Sequence, residues 1–309
     1  MYEKIVLVTR KTRLEGLVER FNTRSQARFY IEHSGGNFVL YEQEHDIYHT
    51  ALDSLRRALE SLGKLQVIER SYLPNFLFSE TDLVVTIGID GLVVNTAKYL
   101  DGQPLIAVNP DPAHIDGILL PFTVANAPAA VKQVLAGKAR FRQVSMAQAS
   151  LNDGQNLLAF NDLFIGVKSH ISARYHIRLG KQEENQSSSG IIVSTGIGST
   201  GWLSSLFNMA NGVQAGFGNS GPRITTPTLA WEADQLIFVV REPFLSRTSG
   251  VSIICGAVTS ATPLVLESQM PEGGVIFSDG VESDYLAFNA GSTVTIGIAP
   301  RKTRLVGSG

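Results

Sequence analysis

Two short stretches of this chain combine the residue types that a nucleotide requires. The first, Thr195-Gly196-Ile197-Gly198-Ser199-Thr200-Gly201-Trp202, follows the apolar run Gly190-Ile191-Ile192-Val193-Ser194. Its glycines let backbone approach a ligand, its hydroxyls donate and accept hydrogen bonds, and Trp202 offers a flat face to a base or ring. A β-turn rich in Gly, Ser and Thr has the same composition, so the stretch alone does not separate ligand site from turn. The second, Gly88-Ile89-Asp90-Gly91, directly follows Asp82–Ile87 (DLVVTI), at the carboxyl end of a strand, where open α/β sheets bind ligands. A carboxylate there can take a proton from a hydroxyl or orient a metal ion, and the flanking glycines leave room for phosphates. The competing reading is a strand-to-helix turn with Asp90 as N-cap.

Other groups are less specific. Asn161-Asp162 pairs an amide with a carboxylate, suited to ribose hydroxyls or an adenine edge and equally to an ordinary turn. His45-Asp46-Ile47-Tyr48-His49 sets two imidazoles four residues apart, as a helical zinc motif does, but no third ligand is evident and a solvated helix start is expected. Asp279-Gly280 and Asp284 read as turn residues, and Arg241-Glu242-Pro243 as an internal ion pair or a substrate contact.

The elements that must position these residues fall into two regions. Up to about residue 140 the pattern is α/β. Lys4–Thr9 is a near-continuous apolar strand of the kind a parallel sheet buries on both faces. Residues 50–62 have apolar residues at helical spacing, ended by Gly63. Leu65–Glu69, Asp82–Ile87 and Leu105–Asn109 read as strands, and Leu92–Leu100 and Ala127–Leu135 as helices. Such alternation implies an open, mostly parallel sheet. After a boundary near Gly137–Arg142, short β runs recur: Leu157–Val167, Tyr175–Leu179, Gly190–Ser194, Gln235–Val240, Val251–Cys255, Leu264–Glu267, Val275–Ser278 and Thr293–Ile298, with one helical piece at Trp202–Met209. The expected division is an α/β domain over 1–140, a β-rich domain over 141–285, and a segment 286–309 packing back on the first domain. Arg10-Lys11-Thr12-Arg13-Leu14 recurs verbatim at Arg301–Leu305, which one pentapeptide does not make a repeat.

Composition narrows the classes. With 44% hydrophobic residues the chain can bury a large core. A net charge of -2 and 17% charged residues leave no basic footprint for nucleic acid or an acidic membrane. The single cysteine, Cys255, reads as buried filler. No apolar run approaches the roughly 18 residues of a membrane helix, and the start does not read as a signal peptide, so a cytoplasmic location is expected.

Taken in order, these pieces resemble the NAD kinase family. That family carries a Gly-Gly-Asp-Gly-Thr loop in an α/β domain, then an Asn-Glu pair, then a Thr-x-x-Gly-Ser-Thr-Ala-Tyr turn in a β domain. Here they stand as Gly88–Leu92, Asn161-Asp162 and Thr195–Trp202. The likeness is greatest to the mitochondrial-type branch. It rests on Lys11-Thr12-Arg13, Val108-Asn109-Pro110-Asp111-Pro112, Phe164-Ile165-Gly166, Ser172-Ala173-Arg174-Tyr175, Ser188-Ser189-Gly190, Trp202 and Arg241-Glu242-Pro243, and it spans roughly residues 4 to 300. The resemblance implies transfer of the ATP γ-phosphoryl group, with Mg²⁺, to the adenosine ribose 2′-hydroxyl of NAD. Asp90 would face that hydroxyl as base or orienting group, with Gly88 and Gly91 forming the phosphate loop. Asn161, Asp162, Thr195, Ser199, Thr200, Gly201 and Trp202 would bind NAD, which would have to bridge the two domains. It also implies a homodimer or higher homo-oligomer, and no metal ligands of the protein's own.

Trp202 takes the place of the usual Tyr, Ser189 stands where many family members outside that branch have Asp, and further positions depart from the family pattern. Ile89 replaces Gly, Leu92 replaces Thr, and Asp162 replaces Glu. A β-branched residue is disfavoured at φ > 0, and Leu92 lacks a hydroxyl that could meet phosphate. Two alternatives follow: an NAD(P)-binding protein with weak or lost kinase activity, or a kinase of the wider superfamily acting on a sugar or lipid hydroxyl.

Overall fold

The computed structural model describes residues 2–218 and 221–307. The chain divides into two compact units, one running to Arg142 and resuming at Thr303, the other Gln143–Lys302. In the first unit the elements are β1 (Lys4–Thr9), α1 (Arg13–Phe21), α2 (Arg24–His33), α3 (Phe38–Glu60), β2 (Leu65–Glu69), β3 (Asp82–Ile87), α4 (Asp90–Ala97), β4 (Pro104–Asn109), β5 (Phe122–Thr123), α5 (Ala127–Leu135) and β6 (Phe141–Val144). The second contains β7 (Ala147–Leu151), β8 (Asn156–Ala159), β9 (Asp162–Val167), β10 (Ala173–Leu179), β11 (Gln182–Ser188), β12 (Ile191–Ser194), α6 (Trp202–Gly216), β13 (Leu236–Val240), β14 (Cys255–Val258), β15 (Leu264–Ser268), β16 (Gly274–Ser278), β17 (Val281–Ala287) and β18 (Thr293–Ile298). The last strand, β19 (Thr303–Val306), returns to the first unit.

The first sheet has the order β2-β1-β3-β4-β19-β6, with β5 also on β4, and its pairings from β2 to β19 are parallel. β3 and β4 are buried along their whole length, which is why both read as unbroken apolar runs. Tyr48, Leu55 and Leu59 of α3 and Val131 and Val134 of α5 pack with Leu7, Val85, Ile106 and Val108 in its core.

The second unit is an antiparallel sandwich. One sheet runs β11-β10-β15-β18-β7-β8 and the other β14-β13-β12-β9-β16-β17. Their inner faces share one core, to which β9 contributes Leu163, Ile165 and Val167. The alternate residue, Phe164, points to the opposite face and packs with Ile192, Val275 and Leu206, the last from α6. As expected, an antiparallel β unit follows an α/β unit along the chain.

Local expectations fail in instructive places. The helices α1 and α2 were not expected, although Thr12 and Glu15 form a capping box and Thr23 caps the next helix. α3 begins at Phe38, so His45 and His49 sit inside a helix rather than at its start. The run Leu157–Val167 is two strands, broken at Phe160-Asn161, and β14 begins only where Val251–Cys255 ends. Cys255 is exposed, not buried filler, because alternation on the edge strand β14 turns it outward. Within 286–309, β18 pairs with β15 and β7, and β19 pairs with β4. The repeated pentapeptide joins β1 to α1 at one occurrence and leads into β19 at the other, so the copies share no structure.

Candidate functional site

Asp90 occupies the first turn of α4, immediately past the carboxyl end of β3. It is not the N-cap. That position is Ile89, with φ -106 and ψ 167 and no side-chain cap hydrogen bond. Ile89 therefore sits in extended backbone that any residue adopts, and the strain considered at this position does not arise. Its side chain is 42% exposed, whereas Leu92 is buried. A Cβ at Gly88 would lie 3.0 Å from Leu92 Cδ2 and 3.3 Å from Arg10 Cδ, so these side chains fill the space beneath the loop. Leu92 is thus a packing residue and does not face the loop's open side.

The Leu119 N–H donates to Asp90 Oδ1 at 3.1 Å, leaving Oδ2 without a hydrogen-bond partner among the described residues. The segment that delivers Leu119 is folded by Asn109. Its Nδ2 donates to the Ile115 carbonyl at 2.8 Å, and its Oδ1 accepts the Asp111 N–H at 2.9 Å. The Val108–Pro112 motif therefore acts through backbone placement. Arg10, singled out only as part of the pentapeptide, has an Nε buried without a hydrogen-bond partner, beside Gly88. Its Nη2 meets Glu44 Oε1 at 3.0 Å. An unpartnered guanidinium N–H next to a helix N-terminus that lacks a side-chain cap is a fit for an anion.

In the second unit, pieces far apart in sequence converge. The Asp279 carboxylate accepts the Phe160, Asn161 and Asp162 N–H groups at 3.0, 2.7 and 3.2 Å. Asp279 and Gly280 have φ values of 56 and 70, the tight turn between β16 and β17. Thr195 Oγ1 donates to the Phe160 carbonyl at 2.6 Å and accepts the Gly198 N–H at 3.2 Å. Ser199 Oγ donates to the Gly196 carbonyl at 2.7 Å. A Cβ at Gly198 would stand 2.1 Å from the Asn161 carbonyl oxygen, so only glycine lets the two loops close on each other. Thr195 and Ser199 are buried and hold the turn together, while Thr200 and Gly201 are exposed at its tip. Gly201 is the N-cap of α6 and supplies no side-chain cap.

This scaffold leaves two polar groups unmatched. Neither the Asn161 amide nor the Asp162 carboxylate meets a hydrogen-bond partner among the described residues. Asp162 is nonetheless only 9% exposed. Burial, and secondarily the charge of Asp279, push its pKa up to about 7. A buried polar group without an internal partner calls for an external one.

Asp162 and Phe164 are two apart on β9 and so share a face of the sheet. On that face Phe164 stacks on Trp202, with centroids 5.9 Å apart and planes 7° from parallel, and on Phe277 at 4.8 Å. Gly166 and Gly190 make room for the Phe164 ring. The Arg241 guanidinium lies 5.7 Å from the Trp202 ring centre, and Lys168 Nζ is 3.5 Å from that of Tyr285. Together with Glu282 these residues line a cavity of ≈ 480 Å³. Arg241 is 3.7 Å from Glu242, the ion pair expected of that motif, and it also lines this cavity. The aromatic wall was visible in sequence only as Trp202, because Phe164 and Phe277 look like ordinary strand residues until pairing aligns them.

No protein-family profile matches the chain, and neither does any curated protein. Solved structures do. An NAD kinase from Archaeoglobus fulgidus in complex with ATP superposes with a TM-score of 0.55 at 16% identity, over 98% of this chain and 93% of that one. Yeast NADH kinase complexed with NADH gives 0.56 at 13% identity, over 100% of this chain and 84% of the other. An α/β unit with a mostly parallel sheet and an antiparallel β unit, in that order along the chain, make this the fold of the NAD kinases.

Proposed function

We propose that the chain is an NAD kinase-like phosphotransferase, moving the ATP γ-phosphoryl group to the adenosine ribose 2′-hydroxyl of NAD. The observation that carries this reading is the pair Asn161 and Asp162. On the fold of the NAD kinases, two polar side chains lack internal partners and one shares a face with an aromatic wall. Ribose hydroxyls would satisfy the Asp162 carboxylate, an adenine edge would satisfy the Asn161 amide, and Trp202 would stack on a ring.

In the first unit Asp90 Oδ2 would accept the 2′-hydroxyl proton while the Leu119 N–H holds the other oxygen in place. The α4 N-terminus and Arg10 would receive donor phosphate. Mg²⁺ carried by ATP would neutralise phosphate charge, and the chain's own work would be positioning. The second reading, a protein that binds NAD(P) with little or no transfer, is favoured by the exposed Ile89 side chain on that loop. Calorimetry with NAD, NADH and NADP tests the shared premise. Saturable binding to the wild type, weakened in Asn161→Ala, is expected. No binding of any of the three at millimolar concentration overturns both readings and leaves the sugar or lipid kinase.

A further inference from the structure

Next to Tyr48, whose hydroxyl donates to the Ile87 carbonyl below the Asp90 loop, the first unit gathers three metal-ligating side chains that the sequence separates. His45 and His49 lie one turn apart on α3, with ring centres 4.3 Å apart. Glu15, from the first turn of α1, brings the carboxylate that the sequence did not reveal. Its Oε1 is 3.2 Å from His49 Nε2, and one donor atom from each of the three residues lies within 4.8 Å of the others. An edge of about 3.3 Å is what bonds of roughly 2.0–2.1 Å span across a tetrahedron, so the Glu15–His49 pair already stands at ligand spacing.

The surroundings hold this set in place. Thr12 touches two of the three: its N–H donates to Glu15 Oε2 at 2.7 Å, and its Oγ1 is 2.9 Å from His45 Nδ1. Glu15 Oε1 is thereby left for a cation, and the His45 ring is tethered by one nitrogen, as ligating imidazoles are by their outer partners. Nearby cationic side chains pair with carboxylates other than Glu15. Arg10 and Arg13 both meet Glu44, and Lys11 meets Glu19. Among the described residues Glu15 has no lysine or arginine partner, so besides the Thr12 N–H its carboxylate faces the two imidazoles. A hollow of ≈ 430 Å³ bordered by Glu15, Glu19 and His45 gives a way in from solvent.

We propose that Glu15, His45 and His49 form a site for a divalent transition-metal ion of the zinc class, with solvent completing the coordination and α1 clamped to α3. Two imidazoles and a carboxylate suit zinc, cobalt or nickel and disfavour magnesium, which prefers oxygen ligands. The ligand set therefore differs from the oxygen ligands that the Mg²⁺ accompanying a nucleotide prefers.

The test uses full-length, untagged protein stripped with chelator and titrated with Zn²⁺ by calorimetry, then with Co²⁺ by visible absorption. One Zn²⁺ per chain is expected, retained in excess Mg²⁺, with an intense Co²⁺ spectrum of low coordination number. Glu15→Gln and His49→Gln should each weaken Zn²⁺ at least tenfold, and Thr12→Val, which removes the Oγ1 contact to His45 but keeps the backbone N–H on Glu15, by about tenfold. His176→Gln, which removes another histidine facing a carboxylate at 3.6 Å, should leave affinity unchanged. Absence of saturable uptake by the wild type, or uptake that Glu15→Gln and His49→Gln do not weaken, overturns the proposal whatever the variants' stability.

Discussion

Asp162→Asn should make the second unit more stable, and increasingly so as pH rises. The folded carboxyl titrates at about 7 against an ordinary 3.8, because burial and the charge of Asp279 disfavour its ionised form. The folded state then binds a proton more tightly than the unfolded chain. Between 3.8 and 7 the native state holds a proton that the unfolded state has lost, so stability falls as pH rises through that window and stays low above it. At about 1.4 kcal/mol per pH step, the penalty in the wild type is about 2 kcal/mol at pH 5 and has a ceiling of ~4 kcal/mol at pH 8. Asparagine has the same shape and no such titration. The two tryptophans, Trp202 and Trp231, both belong to the second unit, so urea melts followed by their fluorescence report on it. The variant's advantage should grow by about 2–3 kcal/mol from pH 5 to pH 8. An advantage that is absent, or equal at the two pH values, refutes the argument that Asp162 is a buried carboxyl without a partner. NAD at saturating concentration should narrow the gap, because hydroxyl donors favour the ionised form.

Gly198→Ala should destabilise the second unit by about 1–3 kcal/mol and abolish dinucleotide binding, since the added methyl must displace the Asn161 carbonyl; urea melts and calorimetry check both. Trp202→Ala should weaken NAD by about 1–3 kcal/mol with a smaller effect on folding, and an unchanged Kd would remove Trp202 from the site. Ile89→Gly should raise ATP-dependent turnover while costing about 0.5–1 kcal/mol of stability, and a slower enzyme would mean that the loop is tuned around isoleucine. Leu92→Thr, in contrast, should lose about 2 kcal/mol or more of stability without a gain in turnover, because that side chain is buried in packing.

Much of this architecture is legible in the residues. β1, β3 and α5 stand where their apolar runs place them, because both faces of a parallel sheet and one face of a helix must be covered. The candidate loops are legible because glycine, hydroxyl and carboxylate residues interrupt those runs. Three things were not. Asp279 reads as a turn, since nothing local says that its carboxylate collects three N–H groups from residues more than a hundred positions away. The aromatic wall depends on the register that sets Phe277 beside Phe164. Glu15 reads as half of a capping box, and only the packing of α1 on α3 brings it to His49.

The central claim, phosphoryl transfer to the NAD 2′-hydroxyl with Asp90 at the reacting oxygen, is tested most directly by NADP formation. Wild type and Asp90→Asn are incubated with NAD, ATP and Mg²⁺, and NADP is read with an NADP-specific dehydrogenase. The account predicts that the wild type makes NADP, and that the variant still binds NAD but turns over roughly 10²- to 10⁴-fold more slowly. A wild type that binds NAD and makes no NADP, or an Asp90→Asn variant as fast as the wild type, contradicts it.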